Sequence, residues 1–144
     1  MTAASNTSPD LAGLAAVGKA IWWMILLRGI FAILFKIIYQ TATPYHEHTL
    51  IREGNVAAAI TLGAALLGYI LPLASALEHT VSLVEFAVWA LLAGVIQIVA
   101  FTIVRMIVMR DFSDRIVRGE LAAAIYMASI SLGVGLLNAA CMSA

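Results

Sequence analysis

Arg28 stands inside the apolar run 20–40, with Lys36 and Gln40 further along a broad helical face shared with it. It lies about eight residues in from the run's first end, some 12 Å at 1.5 Å per residue, so it is expected close to the centre of a bilayer. Insertion scales charge about 2.5–3.5 kcal/mol for an arginine at that depth, so an acceptor or water must meet it. Candidate partners are Gln97, Glu85 at the outer end of the third apolar run, and Asn138 in the fourth. Two chemistries fit: a structural polar clamp between the first and third runs, or a charge lining a wet cavity or ion path. Lys36 and Arg105 are expected near enough to the opposite interface to extend their head groups into it.

His46-Glu47-His48 is the other cluster with a chemical look. Alternate residues on a helix point about 200° apart, and no third ligand is nearby, so no metal is expected there. Glu47 reads instead as a solvated first-turn acid of a short interfacial helix that follows Pro44 and leads to Gly54. GxSxG, Walker, HExxH and paired intramembrane aspartates are all missing, which leaves no catalytic residues, no cofactor and no enzyme reading. A lone cysteine, Cys141, can build neither a disulfide framework nor a CxxC site.

These residues must be positioned by membrane helices. The chain has 144 residues, 63% hydrophobic and only 11% charged, with a mean hydropathy of +1.02, too apolar for a soluble domain of that size. Eight basic residues balance eight acidic ones, so there is no basic field for nucleic acid. Runs at 20–40, 56–77, 81–107 and 121–142 each meet the roughly 20 residues a spanning helix needs. They lack the alternation of barrel strands. The fold class is all-α, polytopic. Residues 1–14 read as a flexible or interfacial N-terminus rather than a signal peptide, with Ser8 as a helix N-cap and Pro9 in its first turn. Arg52 in the first connection and Arg110, Arg115 and Arg118 in the third put both connections in the cytoplasm and both termini outside.

Sixty-five residues separate 51-IREGNVAAAI-60 from 116-IVRGELAAAI-125. Ala57-Ala58-Ala59-Ile60 falls on Ala122-Ala123-Ala124-Ile125, Leu67-Gly68 on Leu132-Gly133, and 26-LLRGIFAI-33 on 91-LLAGVIQI-98. The chain is thus read as two tandem hairpins, 15–79 and 80–144, related by an axis along the membrane normal. Asn55 and Glu120 begin the second and fourth spans and can cap their first turns, with Gly54 and Gly119 allowing a tight turn. Beyond capping, two helix N-termini side by side with Glu47, Arg52, Glu53, Arg115 and Arg118 can form a docking surface for a peripheral cytoplasmic protein or anionic lipid headgroups. Ala64-xxx-Gly68 and Ser129-xxx-Gly133 are expected to let the second and fourth spans approach closely.

The residues Tyr39, Pro44, Glu47, Leu50-Ile51, Gly54-Asn55 and Ala57-Ala58-Ala59-Ile60, followed by a degenerate second copy, resemble the bacterial domain-of-unknown-function family 350. The resemblance runs from about residue 15 to the end. It implies a bacterial inner-membrane location and an often-seen genomic association with phage-shock-type envelope-stress proteins, and no established activity. The expected function is a non-enzymatic, homo-oligomeric membrane scaffold for such a partner, surrounded by membrane lipids. The alternative is a small ion or solute conduit lined by Arg28 and its polar neighbours.

Overall fold

The computed structural model describes residues 10–43 and 46–143. The expected cap at Ser8 and Pro9, and Pro44, lie outside the described residues. Among the described residues, helix α1 (Leu11–Ala42) starts at Asp10, whose carboxylate accepts from the Ala12 amide at 3.1 Å. Residues 11–14 are therefore continuous with the first spanning helix. At the far end Thr43 turns extended, and its amide and hydroxyl both return to the Tyr39 carbonyl, at 3.1 Å and 3.0 Å.

Short helix α2 (Glu47–Arg52) ends in a Schellman motif. The Gly54 amide donates to Ile51 O and the Asn55 amide to Leu50 O, at 3.0 and 2.8 Å. Gly54 takes φ +85°, a left-handed conformation that only glycine enters without strain. Then α3 (Val56–His79) begins, with the Asn55 side chain accepting from the Ala58 amide at 3.0 Å. Helix α4 (Leu83–Ile103) is capped by Ser82 and runs into a π-helical turn, Val104–Val108. Helix α5 (Phe112–Val117) closes in a second Schellman motif, with Gly119 at φ +76° and bonds from Gly119 N to Ile116 O and from Glu120 N to Arg115 O, both 2.9 Å. Helix α6 (Leu121–Met142) completes the chain.

Four helical segments, Leu11–Ala42, Val56–His79, Leu83–Val108 and Leu121–Met142, are long and apolar enough to cross a membrane. The molecule is all-helical in its described residues. α3 is the enclosed helix, in contact with α1, α4 and α6, whereas α1 touches the bundle only through its later half. α3 and α6 run parallel at equal height. Asn55 at the start of α3 reaches Ile116 and Val117 just before α6, and Ser75 near the end of α3 donates to Ala139 near the end of α6 at 3.0 Å.

A ladder of rings sets the height of α1. Phe31 meets Phe86 edge-on, Phe35 stacks on Tyr69, and Tyr39 meets Phe101, with centroids 5.3, 4.2 and 4.9 Å apart. Such offset and edge-to-face pairs add about 0.5–1.5 kcal/mol each beyond the area they bury. Below them the Arg105 guanidinium donates to Ala42 O at 3.0 Å.

The ring ladder orders the charges of α1 along the bundle. Phe35 packs beside both Tyr69 and Gly94, and Arg28, about two turns earlier, lies nearer the end that carries the α3–α4 loop. Lys36, beside Phe35, is level with Tyr69 in the middle of α3. α1 is 32 residues long and overshoots its neighbours.

Candidate functional site

Two groups of residues carry the polar chemistry: the junctions before α3 and α6, and the polar side chains inside the bundle. At the junctions the Asn55 amide nitrogen donates to Ile116 O at 2.7 Å and to Val117 O at 3.2 Å, while its oxygen caps α3. One side chain thus fixes both the start of α3 and its distance from the second junction. Around this tie lies an open depression of about 420 Å³, lined by Glu53, Gly54, Asn55, Arg118 and Gly119 among others. The N-termini of α3 and α6 sit side by side at it, so both positive helix ends face the same side.

Glu120 occupies the place of Asn55 but does not cap α6 through its side chain, contrary to expectation. Its carboxylate instead accepts from Arg115 at 3.0 Å, and Arg115 also donates to Asp111 at 2.7 Å. The reason is local: Arg115, one turn back on α5, offers a charged donor within reach. The bond from Arg115 holds the Asp111 carboxyl below its usual range, and the same pairing raises Arg115 further. Arg52, Glu53 and Arg118 are exposed. Glu47, read as solvated, is buried at 2% exposure and shares a cavity of about 200 Å³ with Gln40, His46 and His48. Among the described residues no three His, Cys, Asp or Glu side chains group as metal ligands.

Inside the bundle none of the expected partners of Arg28 meets it in a hydrogen bond or ion pair among the described residues. Gln97 donates to Ser131 O at 3.0 Å and Asn138 to Ala93 O at 3.4 Å. Glu85 is exposed in the first turn of α4. The Arg28 Nε is buried without a hydrogen-bond partner among the described residues, so no clamp between α1 and α4 forms through it. Lys36, expected near an interface, is half-buried at mid-height. Arg28, Ala32, Lys36 and Gln40, all half-buried, form one stripe at four-residue spacing along the flank of the α1 face that carries the rings.

The closest approach of helices also departs from the expected stripe. Gly68 is buried against Ser131, and a Cβ on it would lie 2.6 Å from the Gln97 amide nitrogen. A Cβ on Gly135 would lie 2.6 Å from Gly68 Cα. A Cβ on Gly133 would meet nothing within 4 Å, and Ser129 is exposed, its hydroxyl returned to Ile125 O. The contact stripe on α6 is therefore Ser131-xxx-Gly135, two residues on from the one expected, while Ala64 on α3 is buried as expected. Sequence repeat implied that corresponding positions face each other, but here one helix is enclosed and the other half-exposed. Tyr69, whose hydroxyl donates to Ala90 O at 3.0 Å, and Ser75 were not singled out. Their polar tips within apolar runs were the available signal. All these bonds use helix carbonyls, whose second lone pair is free for a side-chain donor.

The family described as Domain of Unknown Function (DUF350) matches residues 11–142. The protein described as UPF0719 inner membrane protein YjfL from Escherichia coli strain K12 is 39% identical over 111 residues, covering 77% of this chain and 83% of that protein. The protein of the same description from Escherichia coli O157:H7 matches to the same extent. No solved structure matches the chain.

Proposed function

The chain belongs to the DUF350 family, a family of multi-pass membrane proteins without an assigned activity, and from that premise we propose that it is a non-enzymatic inner-membrane scaffold. In this reading it is a duplicated hairpin that presents the ends of α2, α3, α5 and α6 to a peripheral cytoplasmic partner in envelope stress. The observation that carries the reading is the Asn55 tie. By bonding to Ile116 and Val117 it welds two separate connections into one surface bearing Arg52, Glu53 and Arg118. A surface held by a buried-core helix pair is preorganised, which lowers the cost of docking. Both termini are then periplasmic, and assembly into homo-oligomers covers the apolar first half of α1.

The reading is tested by a photo-reactive residue at position 53 in native membranes. A discrete adduct with one peripheral protein, lost in Arg52→Glu/Arg118→Glu and retained in Lys36→Gln, is the expected result. Adducts with lipid alone overturn it.

A second reading, a conduit for ions or small solutes, is favoured by Lys36. It is half-buried at mid-height on the stripe that runs from Arg28 to Gln40, and no hydrogen bond or ion pair holds it among the described residues. Flux through reconstituted vesicles that changes in Lys36→Gln supports this reading over the scaffold.

A further inference from the structure

At the α3–α4 loop end, two cavities share Trp89, Cys141 and Met142. The lower, about 320 Å³, is an apolar trough between α4 and α6 walled by Leu92, Ile96, Val134 and Leu137. The upper, about 240 Å³, is bounded by His79, Thr80 and Glu85. Together they have the polarity profile of a lipid: a polar head at the bundle's end and an apolar body running toward its middle.

We propose that this groove holds one phospholipid with a zwitterionic, primary-amine headgroup. The upper cavity offers both kinds of group such a head needs. The Thr80 hydroxyl is buried without a partner among the described residues, an unmet donor suited to a phosphate oxygen. Glu85 forms no ion pair among the described residues and lines the same cavity, a carboxylate suited to an ammonium. His79 uses Nδ1 toward Ser75 O at 2.8 Å. That contact makes Nδ1 the donor and leaves Nε2, in the neutral ring, as a second acceptor for ammonium N–H. Trp89 lies at the boundary, where its ring can pack on the head's methylenes and its face can meet the cation.

Charge selects among lipids. No Lys or Arg lines either cavity, so an anionic head sets an unneutralised phosphate beside Glu85. A trimethylated ammonium satisfies charge but has no N–H for Glu85 or His79. The primary amine alone meets both conditions. The site is at the opposite end of the molecule from the junction surface and does not depend on the scaffold reading.

The test uses the full chain in detergent with an equimolar mixture of ethanolamine, choline and glycerol phospholipids of identical acyl chains. Native mass spectrometry reads retention, and the alkylation rate of Cys141, which lines both cavities, reads occupancy. One ethanolamine lipid retained per chain, with slowed alkylation of Cys141, is the expected result. Glu85→Gln should lower that retention about tenfold at unchanged melting temperature, the weight of one charge-assisted bond. If Glu85→Gln does not fold, Thr80→Val and the trough-filling Leu137→Trp take its place, each expected to lose the lipid and restore fast alkylation. Equal retention of the three lipids, preference for the anionic one, no protection of Cys141, or variants that retain ethanolamine lipid unchanged overturn the proposal.

Discussion

Phe35 of α1 stacks on Tyr69 of α3 with ring centroids 4.2 Å apart and planes 13° from parallel, and this contact puts Lys36 rather than Arg28 at mid-height. The two charges should then respond differently to removal. Lys36→Leu removes a charge at mid-height and should raise the melting temperature in detergent or lipid. Arg28→Leu, nearer the end of the bundle, should change it less. A strongly destabilised Arg28→Leu would restore the clamp that the described contacts lack.

Gly68 and Gly135 allow α3 and α6 to touch backbone to backbone. Alanine at either should force the helices apart and cost about 1–3 kcal/mol, the usual range for overpacking. Gly133→Ala, with open space around the added methyl, should be neutral or slightly stabilising by helix propensity. Chemical denaturation in mixed micelles distinguishes them, and equal effects at 68 and 133 would refute this assignment of the contact face.

Asn55 acts as acceptor toward Ala58 and as donor toward Ile116 and Val117. Asn55→Ala should lose about 1–2 kcal/mol from the cap alone. Asn55→Asp keeps the cap but turns a carboxylate toward two carbonyls, so it should be no more stable than the alanine variant and should loosen the α5–α6 junction to hydrogen exchange. Wild-type behaviour of the aspartate variant would mean the tie contributes nothing.

Asp111 has its folded pKa lowered from 3.8, chiefly by the bond from Arg115. A depressed carboxylate contributes stability above its unfolded pKa and loses it as pH falls through the folded value. The α5 connection should therefore become more open to exchange below about pH 4, and high salt should weaken the pair since it is exposed. Asp111→Asn should remove that pH dependence while leaving the transmembrane helices intact.

Cysteines at exposed positions report topology. With Cys141 replaced by Ser, His46→Cys and Asp114→Cys should be shielded from an impermeant thiol reagent added outside, and His79→Cys should react. Reaction at 46 but not at 114 would end the duplicated-hairpin reading.

Much of the architecture was legible in the chain because its causes are local. The starts of α3 and α6 at Val56 and Leu121 follow from Gly54 and Gly119, which need a left-handed turn, and from the apolar runs after them. What was not legible depends on contacts between distant residues. The height of Lys36 is set by Phe35 on Tyr69, the face of α6 by Gly68 on Ser131, and the burial of Glu47 by the folding of α2 against the bundle. Counting along one helix cannot supply any of these.

The bond from Asn55 runs from the first half of the chain to the second and has no return. The matching place in the second half holds Glu120, which has no donor and turns to Arg115 of its own half. The halves are therefore not interchangeable parts. The second junction is located by a side chain it does not itself supply, so in this fold position 55 governs two connections and position 120 only its own.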